Sequence, residues 1–445
     1  MQRIMISDLS SKKGEEVLIK CWVDVRRDQG KMVFFDFRDM SGKVQGVVLP
    51  GSSAIEIAKE VRDEFVVAIK GKVNERPERN RQADKINGDI ELEVLEIEII
   101  TKAQDLPFAL DSELNLDTLL DYRPYTLRRA REQAIFKVQH NILLAFREFL
   151  IQKGFKEFRA PAIVGGDAEG GTEVFKFDYF YGHTGYLATS PQLYKQMMVG
   201  VFERVFTVTN VFRAEKHSTA RHLNEYTSLD LEMGFIDSPK DIMKMETELL
   251  IYVTAHLKKT CAEEFKILEA NFPLIPEGSE IFPMMKLSEA QQLITKETGV
   301  DCTQEPDLSP EHERWLCEYS KKEFNSDFIF ITNYPRTKRP FYAMDDEEND
   351  GTTKCFDLLF RGLELISGNQ REHRYDLLVE KMKWKGLDPE KFSFYLQAFK
   401  YGIPPHGGLG MGLERLTARF LNLPNIKEAT LFPRDINRID KLLSE

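Results

Sequence analysis

The stretch Val205 to Gly234, VFTVTNVFRAEKHSTARHLNEYTSLDLEMG, concentrates the charged residues best suited to act on a phosphate. It reads as strand, loop, strand. Arg213 and Glu215 end the first strand, Arg221 and His222 stand in the loop, and Asp230 and Glu232 lie on the returning strand. Alternation turns Arg213, Glu215, Asp230 and Glu232 in related directions on a sheet face. An antiparallel pair with basic loop residues can clamp a triphosphate through charge-assisted hydrogen bonds. For an isolated segment, a solvated charged hairpin is the commoner explanation. A second segment is Gly407 to Leu416, GGLGMGLERL, whose glycines allow close backbone approach at a strand before Glu414-Arg415 begins a helix. Alone, such a glycine cluster is weak evidence. The chain has no GxxxxGK[ST] loop and no strand-anchored GxGxxG, so any ATP site is of another kind.

The elements that must position these residues fall into two groups. Residues 1–103 are β-rich: Val17–Val25, Lys31–Arg38, Lys43–Leu49, Phe65–Val73 and Ile90–Ile100 read as strands, and Ser53–Arg62 has helical spacing. Three strands, a helix and two strands is the order of a five-stranded OB barrel, a fold that binds oligonucleotides on one face; a barrel with only a structural role is the alternative. Residues 104–131 read as a hinge or connector, broken by Pro107 and turn-rich at Asp121–Tyr125. A long amphipathic helix follows from about Arg131 to Lys153, with Ile135, Val138, Ile142, Phe146, Phe149 and Leu150 on one stripe and Gly154 at its end. The rest of a domain spanning 132–445 mixes strands and helices, and 236–350 reads as a mainly helical insertion. The expected class is therefore α+β, with an N-terminal five-stranded OB β-barrel followed by a larger domain of mixed strands and helices.

Composition narrows the function. The 445 residues are enough for two or three domains. A net charge of −11 argues against coating nucleic acid non-specifically, while leaving room for local basic patches. No apolar run reaches the roughly 18 residues a membrane helix needs, and the N-terminus carries no long apolar core of a secretory signal. Five widely spaced cysteines without a CxxC pair support neither a disulfide framework nor a zinc ribbon, and fit a reducing cytoplasm.

Taken together, the hairpin and the glycine segment match the spacing of class II aminoacyl-tRNA synthetases. They resemble that family's motifs 2 and 3. Gly154 to Val164, GFKEFRAPAIV, resembles motif 1, a helix end and then a strand, which in the family builds the dimer interface; the resemblance thus implies a homodimer through 154–164. It covers nearly the whole chain and extends to the subclass charging aspartate, asparagine or lysine. Ser190-Pro191-Gln192-Leu193-Tyr194-Lys195-Gln196, and Phe356-Asp357-Leu358 followed by Glu364 to His373, look aspartyl. The span between motifs 2 and 3 is too short for the large extra domain of bacterial aspartyl enzymes, so the chain resembles the archaeal or eukaryotic form, and without the basic N-terminal extension of eukaryotic cytosolic enzymes the archaeal type is the expectation. The implied reaction is aspartate activation by ATP and transfer to tRNA(Asp), with tRNA(Asn) an open second acceptor. An asparaginyl enzyme and a catalytically dead RNA-binding paralogue are the alternatives.

The resemblance also assigns roles. Arg213 and Arg415 are the implied catalytic arginines, on the α- and γ-phosphates. Glu169, Gln192, Lys195, Arg213, Asp230, Ser367 and Arg371 would hold aspartate, with Glu169 in the lid Gly165–Gly171. Glu215, Arg221, His222, Leu223, Tyr226, Glu364 and Gly412, together with the two arginines, would hold ATP. Asp357 and Glu364 are the implied Mg²⁺ carboxylates, with Ser367 a weaker oxygen ligand. In the barrel, Phe34 would stack an anticodon base and Gln45 hydrogen-bond another, with Arg27, Lys85 and Glu91 as further contacts.

Overall fold

A computed structural model of the chain describes residues 1–82, 87–166 and 173–439. These residues form two compact units, Met1–Ser112 and Glu113–Glu445.

The first unit contains β1 (Glu16–Asp28), β2 (Val33–Asp39), β3 (Gly42–Val48), the short helix α1 (Ile55–Glu60), β4 (Val66–Glu75) and β5 (Ile90–Thr101). The strands close into a barrel in the order β1-β2-β3-β5-β4, the five-stranded OB architecture expected from the sequence. Strand periodicity decides what fills it: Val33, Phe35 and Phe37 point into the barrel core, where Phe35 and Phe37 stack at 5.3 Å. Phe34, between them, is only half-buried. Closure leaves no free strand edge among these five.

The second unit begins with α2 (Leu116–Asp121) and α3 (Arg123–Thr126), so the tail of the expected connector is helical. Arg123 explains why: it is 1% exposed and donates to the carbonyls of Glu428, Thr430 and Leu431, tying α3 to the far end of the same unit. The long helix α4 (Ala130–Gln152) buries the whole predicted stripe from Ile135 to Leu150, and Gly154 follows at φ +83°. The motif 1 segment is not one continuous strand. It makes two short pieces, β6 (Lys156–Glu157) and β7 (Ile163–Val164), because Pro161 between them has no N–H to give a ladder.

Next come β8 (Lys176–Asp178), β9 (Thr184–Leu187), α5 (Gln192–Phe202), β10 (Arg204–Phe212) and β11 (Glu225–Gly234). The chain then forms α6 (Pro239–Thr260), α7 (Ala262–Ile267), β12 (Met284–Lys286), α8 (Leu287–Thr298), α9 (Pro310–Phe324) and β13 (Phe328–Thr332). It finishes with β14 (Cys355–Phe360), β15 (Leu363–Gln370), α10 (Tyr375–Trp384), α11 (Ser393–Lys400), β16 (His406–Gly412) and α12 (Leu413–Phe420). Eight strands make one sheet in the order β12-β13-β14-β15-β16-β11-β10-β6; its internal pairs are antiparallel and only the two edge pairs are parallel. β7, β9 and β8 make a small second sheet.

The stretch 236–350, read as a mainly helical insertion, carries the four helices α6 to α9 but is not built of helices alone. The stretch supplies β12 and β13 to the main sheet, and α6 contributes Ile242, Leu249, Leu250 and Val253 to the central core. Its apolar helical spacing was real, but two strands of three and five residues are too short to show a period of their own. All five cysteines are free and buried. Among the described residues, no helix is long and apolar enough to cross a membrane.

Candidate active site

The hairpin β10–β11 and strand β16 stand side by side at the centre of the sheet. Their register places Asp230 opposite Gly410 and Glu232 opposite Gly408. This accounts for the glycine segment: a Cβ at Gly408 would lie 2.2 Å from Glu232 Oε2, and one at Gly410 would lie 3.0 Å from Asp230 Oδ2. The strand must carry hydrogen where the carboxylates pass. At the strand's end, Gly412 passes α12 and Tyr226 into a cavity of about 420 Å³, a size suited to a small ligand.

Most of the expected residues meet there. Gln192, Arg213, Glu215, Arg221, His222, Leu223, Tyr226, Asp230, Glu364, Ser367, Arg371, Gly412 and Arg415 all line this one cavity. Lys195 and Asp357 lie behind its wall, each 1% exposed. Glu169, with most of its Gly-rich segment, and Lys85 lie outside the described residues.

One end of the cavity rests on four buried charges. Lys195, Asp230, Glu232 and Arg371 are 1%, 3%, 0% and 2% exposed. Lys195 Nζ donates to Asp230 Oδ2 at 2.7 Å and to the Leu409 carbonyl at 2.8 Å, and lies 3.6 Å from Glu232 Oε2. Arg371 donates to both oxygens of Glu232, at 2.7 and 3.0 Å. Arg371 thus pairs with Glu232 on β11 and not with its chain neighbours Glu372 or Asp376. Burial pushes the Glu232 carboxyl up, but Arg371 and then Lys195 outweigh it and hold the group below its usual value. Two cations against two carboxylates satisfy the rule that buried charge is paired. The Gln192 amide Nε2 and the Asn369 carbonyl Oδ1, both on cavity-lining residues, are buried without a partner. Unmet buried polar atoms facing a cavity are what a polar ligand satisfies.

The other end is more open and more basic. Arg213 lies 3.8 Å from Glu215 and 5.7 Å from the Tyr226 ring centroid. Arg221 reaches Glu313 on α9 at 3.6 Å, and His222 reaches Glu215 at 3.7 Å. Burial, against the attraction of Glu215, lowers the His222 pKa, favouring the neutral ring. Glu414 accepts the Thr227 N–H at 3.0 and 3.1 Å, fixing the strand beside Tyr226, and burial pushes its carboxyl up to about 7.

Between the two ends lie the carboxylates expected to bind metal. Ser367 stands opposite Asp357 in the register and donates to its Oδ1 at 2.7 Å. Burial, and then the charge of Asp357, push the Glu364 carboxyl up to about 8. Glu364 lines the cavity and Asp357 lies just behind it, and a divalent cation held by the two carboxylates would relieve their repulsion. Among the described residues no set of three His, Cys, Asp or Glu side chains could hold one; two protein carboxylates completed by phosphates and water is the usual Mg²⁺ arrangement.

Several lining residues escaped the sequence reading: Lys338, Arg339, Pro340 and Tyr342, besides Asn369 and Glu414. The first four lie in the run Lys338-Arg339-Pro340-Phe341-Tyr342. Two adjacent cations before a proline were the available signal, overlooked because the stretch was read as helical insertion.

In the barrel, Phe34 is opposite Arg27 and Asp36 is opposite Gln45. Arg27 is already committed, donating bidentately to Asp36 at 2.8 Å on each arm. Glu91 is half-buried on β5, next to Leu92, which pairs with Gly46.

The family profile described as tRNA synthetases class II (D, K and N) matches residues 115–436, and an OB-fold nucleic acid binding domain matches 17–100. The chain belongs to the class II tRNA synthetases. Relatives of this synthetase include the aspartate–tRNA(Asp/Asn) ligase of Thermus thermophilus, 44% identical over 98% of this chain and 99% of that one. The aspartate–tRNA(Asp) ligase of Pyrococcus abyssi is 40% identical over 96% of each. The solved asparaginyl-tRNA synthetase of Pyrococcus horikoshii complexed with asparaginyl-adenylate superposes with a TM-score of 0.90, at 32% identity, over 99% of each chain. A solved putative aspartyl-tRNA synthetase from Leishmania major superposes with a TM-score of 0.89, at 31% identity, over 98% of this chain and 94% of that one, so backbone shape is shared by enzymes named for either amino acid.

Proposed function

We infer that this synthetase is an aspartate–tRNA ligase, joining L-aspartate to ATP and then to tRNA. The observation that carries the choice of amino acid is the convergence of buried Lys195 and Arg371 on one point beside the cavity. Both cations already have carboxylate partners in Asp230 and Glu232, so what favours a carboxylate side chain over an amide there is the stronger, charge-assisted hydrogen bond that it would accept from them. The relatives named for aspartate support the same reading.

In the proposed reaction the aspartate α-carboxylate oxygen attacks the α-phosphorus of ATP, and pyrophosphate leaves. The carboxylate is already anionic, so no general base is required. Arg213 offsets the charge growing on the phosphoryl oxygens, Arg415 holds the far phosphates, and Tyr226 offers a face to adenine. Glu215, Arg221, His222, Leu223 and Gly412 complete the nucleotide wall. Asp230 and Gln192 orient the amino acid. Bound at Asp357 and Glu364, with Ser367 alongside, Mg²⁺ would neutralise phosphate charge. A ribose hydroxyl at the tRNA end then attacks the adenylate carbonyl and releases AMP.

The proposal extends to the barrel, where Phe34, Gln45, Arg27 and Glu91 would meet anticodon bases. It also includes a homodimer through 154–164, supported by exposed Ile151 and Ile163 in and beside that segment. A cytoplasmic location is proposed from five free, buried cysteines.

The test is aminoacylation with labelled aspartate on separate tRNA(Asp) and tRNA(Asn) transcripts. Charging of tRNA(Asp) alone means a discriminating enzyme. Charging of both adds tRNA(Asn) as a second acceptor. Charging of neither, with ATP and Mg²⁺ present, overturns the reading.

A further inference from the structure

Arg339 sits between β13 and β14, in the basic run the sequence reading passed over. Its guanidinium closes on Asp357: Nη1 donates to Oδ1 at 3.2 Å and Nη2 to Oδ2 at 2.5 Å. Nη1 also lies 3.3 Å from Ser367 Oγ, the hydroxyl that donates to the same Oδ1. The guanidinium carbon stacks 3.7 Å from the centroid of the buried Tyr334 ring. Both oxygens of Asp357 are therefore engaged by one side chain. Asp357 is 1% exposed, while Arg339 and Lys338 line the cavity in its place. A divalent cation that shared that carboxylate at bonding distance would be repelled by the guanidinium in a poorly screened site, so the two compete for it. The guanidinium is not fully locked, since its Nε is buried without a partner.

We propose that Arg339 is an internal counter-cation of the metal site, holding Asp357 until a divalent cation and a nucleotide arrive together, then turning its guanidinium to the phosphates. This rests on the assignment of Asp357 and Glu364 as metal carboxylates. The cavity Arg339 lines also carries Arg213 and Arg415, so the released charge finds its new anion within the same space. The consequence is coupling: metal alone competes with an arginine, whereas metal with nucleotide gives that arginine another partner.

The test is Mn²⁺ binding, followed by the electron paramagnetic resonance of the free ion, with and without a non-hydrolysable ATP analogue. In the wild-type protein the analogue should tighten Mn²⁺ binding strongly. Arg339→Gln should bind Mn²⁺ alone about tenfold or more tighter than wild type and lose much of that coupling. Arg339→Lys, keeping the charge without the bidentate grip, should fall between. An Arg339→Gln protein that melts cooperatively, yet binds Mn²⁺ no tighter and shows unchanged coupling, overturns the proposal. Should that variant not fold, wild-type affinity and coupling in Arg339→Lys overturn it equally. Asp357→Asn must remove the ion in either background; retained binding puts the ion elsewhere and also overturns it. Aspartate-dependent pyrophosphate exchange by the wild-type enzyme tests the functional reading on its own, so failure there is distinguishable from failure here.

Discussion

The two ends of the cavity are built on opposite plans. At the end proposed to take the amino acid, Lys195, Asp230, Glu232 and Arg371 are at most 3% exposed and are paired before any ligand arrives. At the end proposed to take the nucleotide, the Arg213, Arg221 and His222 side chains are 36%, 26% and 34% exposed; the two arginines lie 3.8 and 3.6 Å from their carboxylate partners, and His222 lies 3.7 Å from Glu215. Aspartate and asparagine have nearly the same shape, so telling them apart requires fixed charges in a dry setting, where a mismatched partner is expensive. A triphosphate needs no such fine discrimination, and its pyrophosphate must leave, which suits looser and wetter contacts. Rigidity is placed where selectivity is needed.

Substitutions at the two ends should therefore fail differently. Lys195→Leu leaves Asp230 buried without its cation, a loss of roughly 3–5 kcal/mol; aspartate-dependent pyrophosphate exchange should vanish, with a lower melting temperature and ATP binding retained. Unchanged exchange would remove Lys195 from the specificity pocket. Arg213→Ala, at the open end, should cut kcat by about 10²–10³ while leaving the melting temperature near wild type. A large stability loss there would break the contrast between the ends.

Phe34→Ala tests the barrel. Loss of one base stack costs about 1–3 kcal/mol, to be read as a higher KM for tRNA with unaltered pyrophosphate exchange. A change in exchange instead would mean that Phe34 acts on the fold and not on tRNA.

The smallest effect concerns Glu246, fully buried on α6 with neither carboxyl oxygen hydrogen-bonded. Burial, and then the charge of Asp357, push its pKa well above the usual 4.5. A carboxyl raised on folding gives its full stability below the unfolded value and loses it as pH climbs toward the folded one. Glu246→Gln should thus be nearly neutral at pH 5 and stabilising by about 1 kcal/mol at pH 8. Equal effects at both pH values, followed by thermal melting, would show that the carboxyl is not held neutral.

Some parts of the site were legible because they are written locally. The stripe on α4, the alternation that buries Phe35 and Phe37 and spares Phe34, and the clustering of Arg213 to Asp230 on a hairpin each follow from one element's own period. Lys338 and Arg339 were not legible in this way. They sit in a loop after a five-residue strand, and nothing in their neighbourhood says that β14 will pass beside them. Glu414 reads in the sequence only as the start of a helix, since its bond to Thr227 N spans 187 residues.

By itself, the sequence determined the five barrel strands, the long helix α4 and the β10–β11 hairpin, because hydrophobic period and turn chemistry act over a few residues. It also determined that the central glycines sit among charges, and through the spacing of three segments it pointed to the family. Only the tertiary structure decided the partners. Lys195, which on any helix would ordinarily face water, is buried because α5 packs against β11 and β16, where Asp230 and the Leu409 carbonyl wait for it. Arg371 finds Glu232, 139 residues away, and Arg339 covers Asp357. Long-range charge pairing depends on which strands become neighbours, and that is fixed by the packing of the whole sheet and by no local stretch of chain.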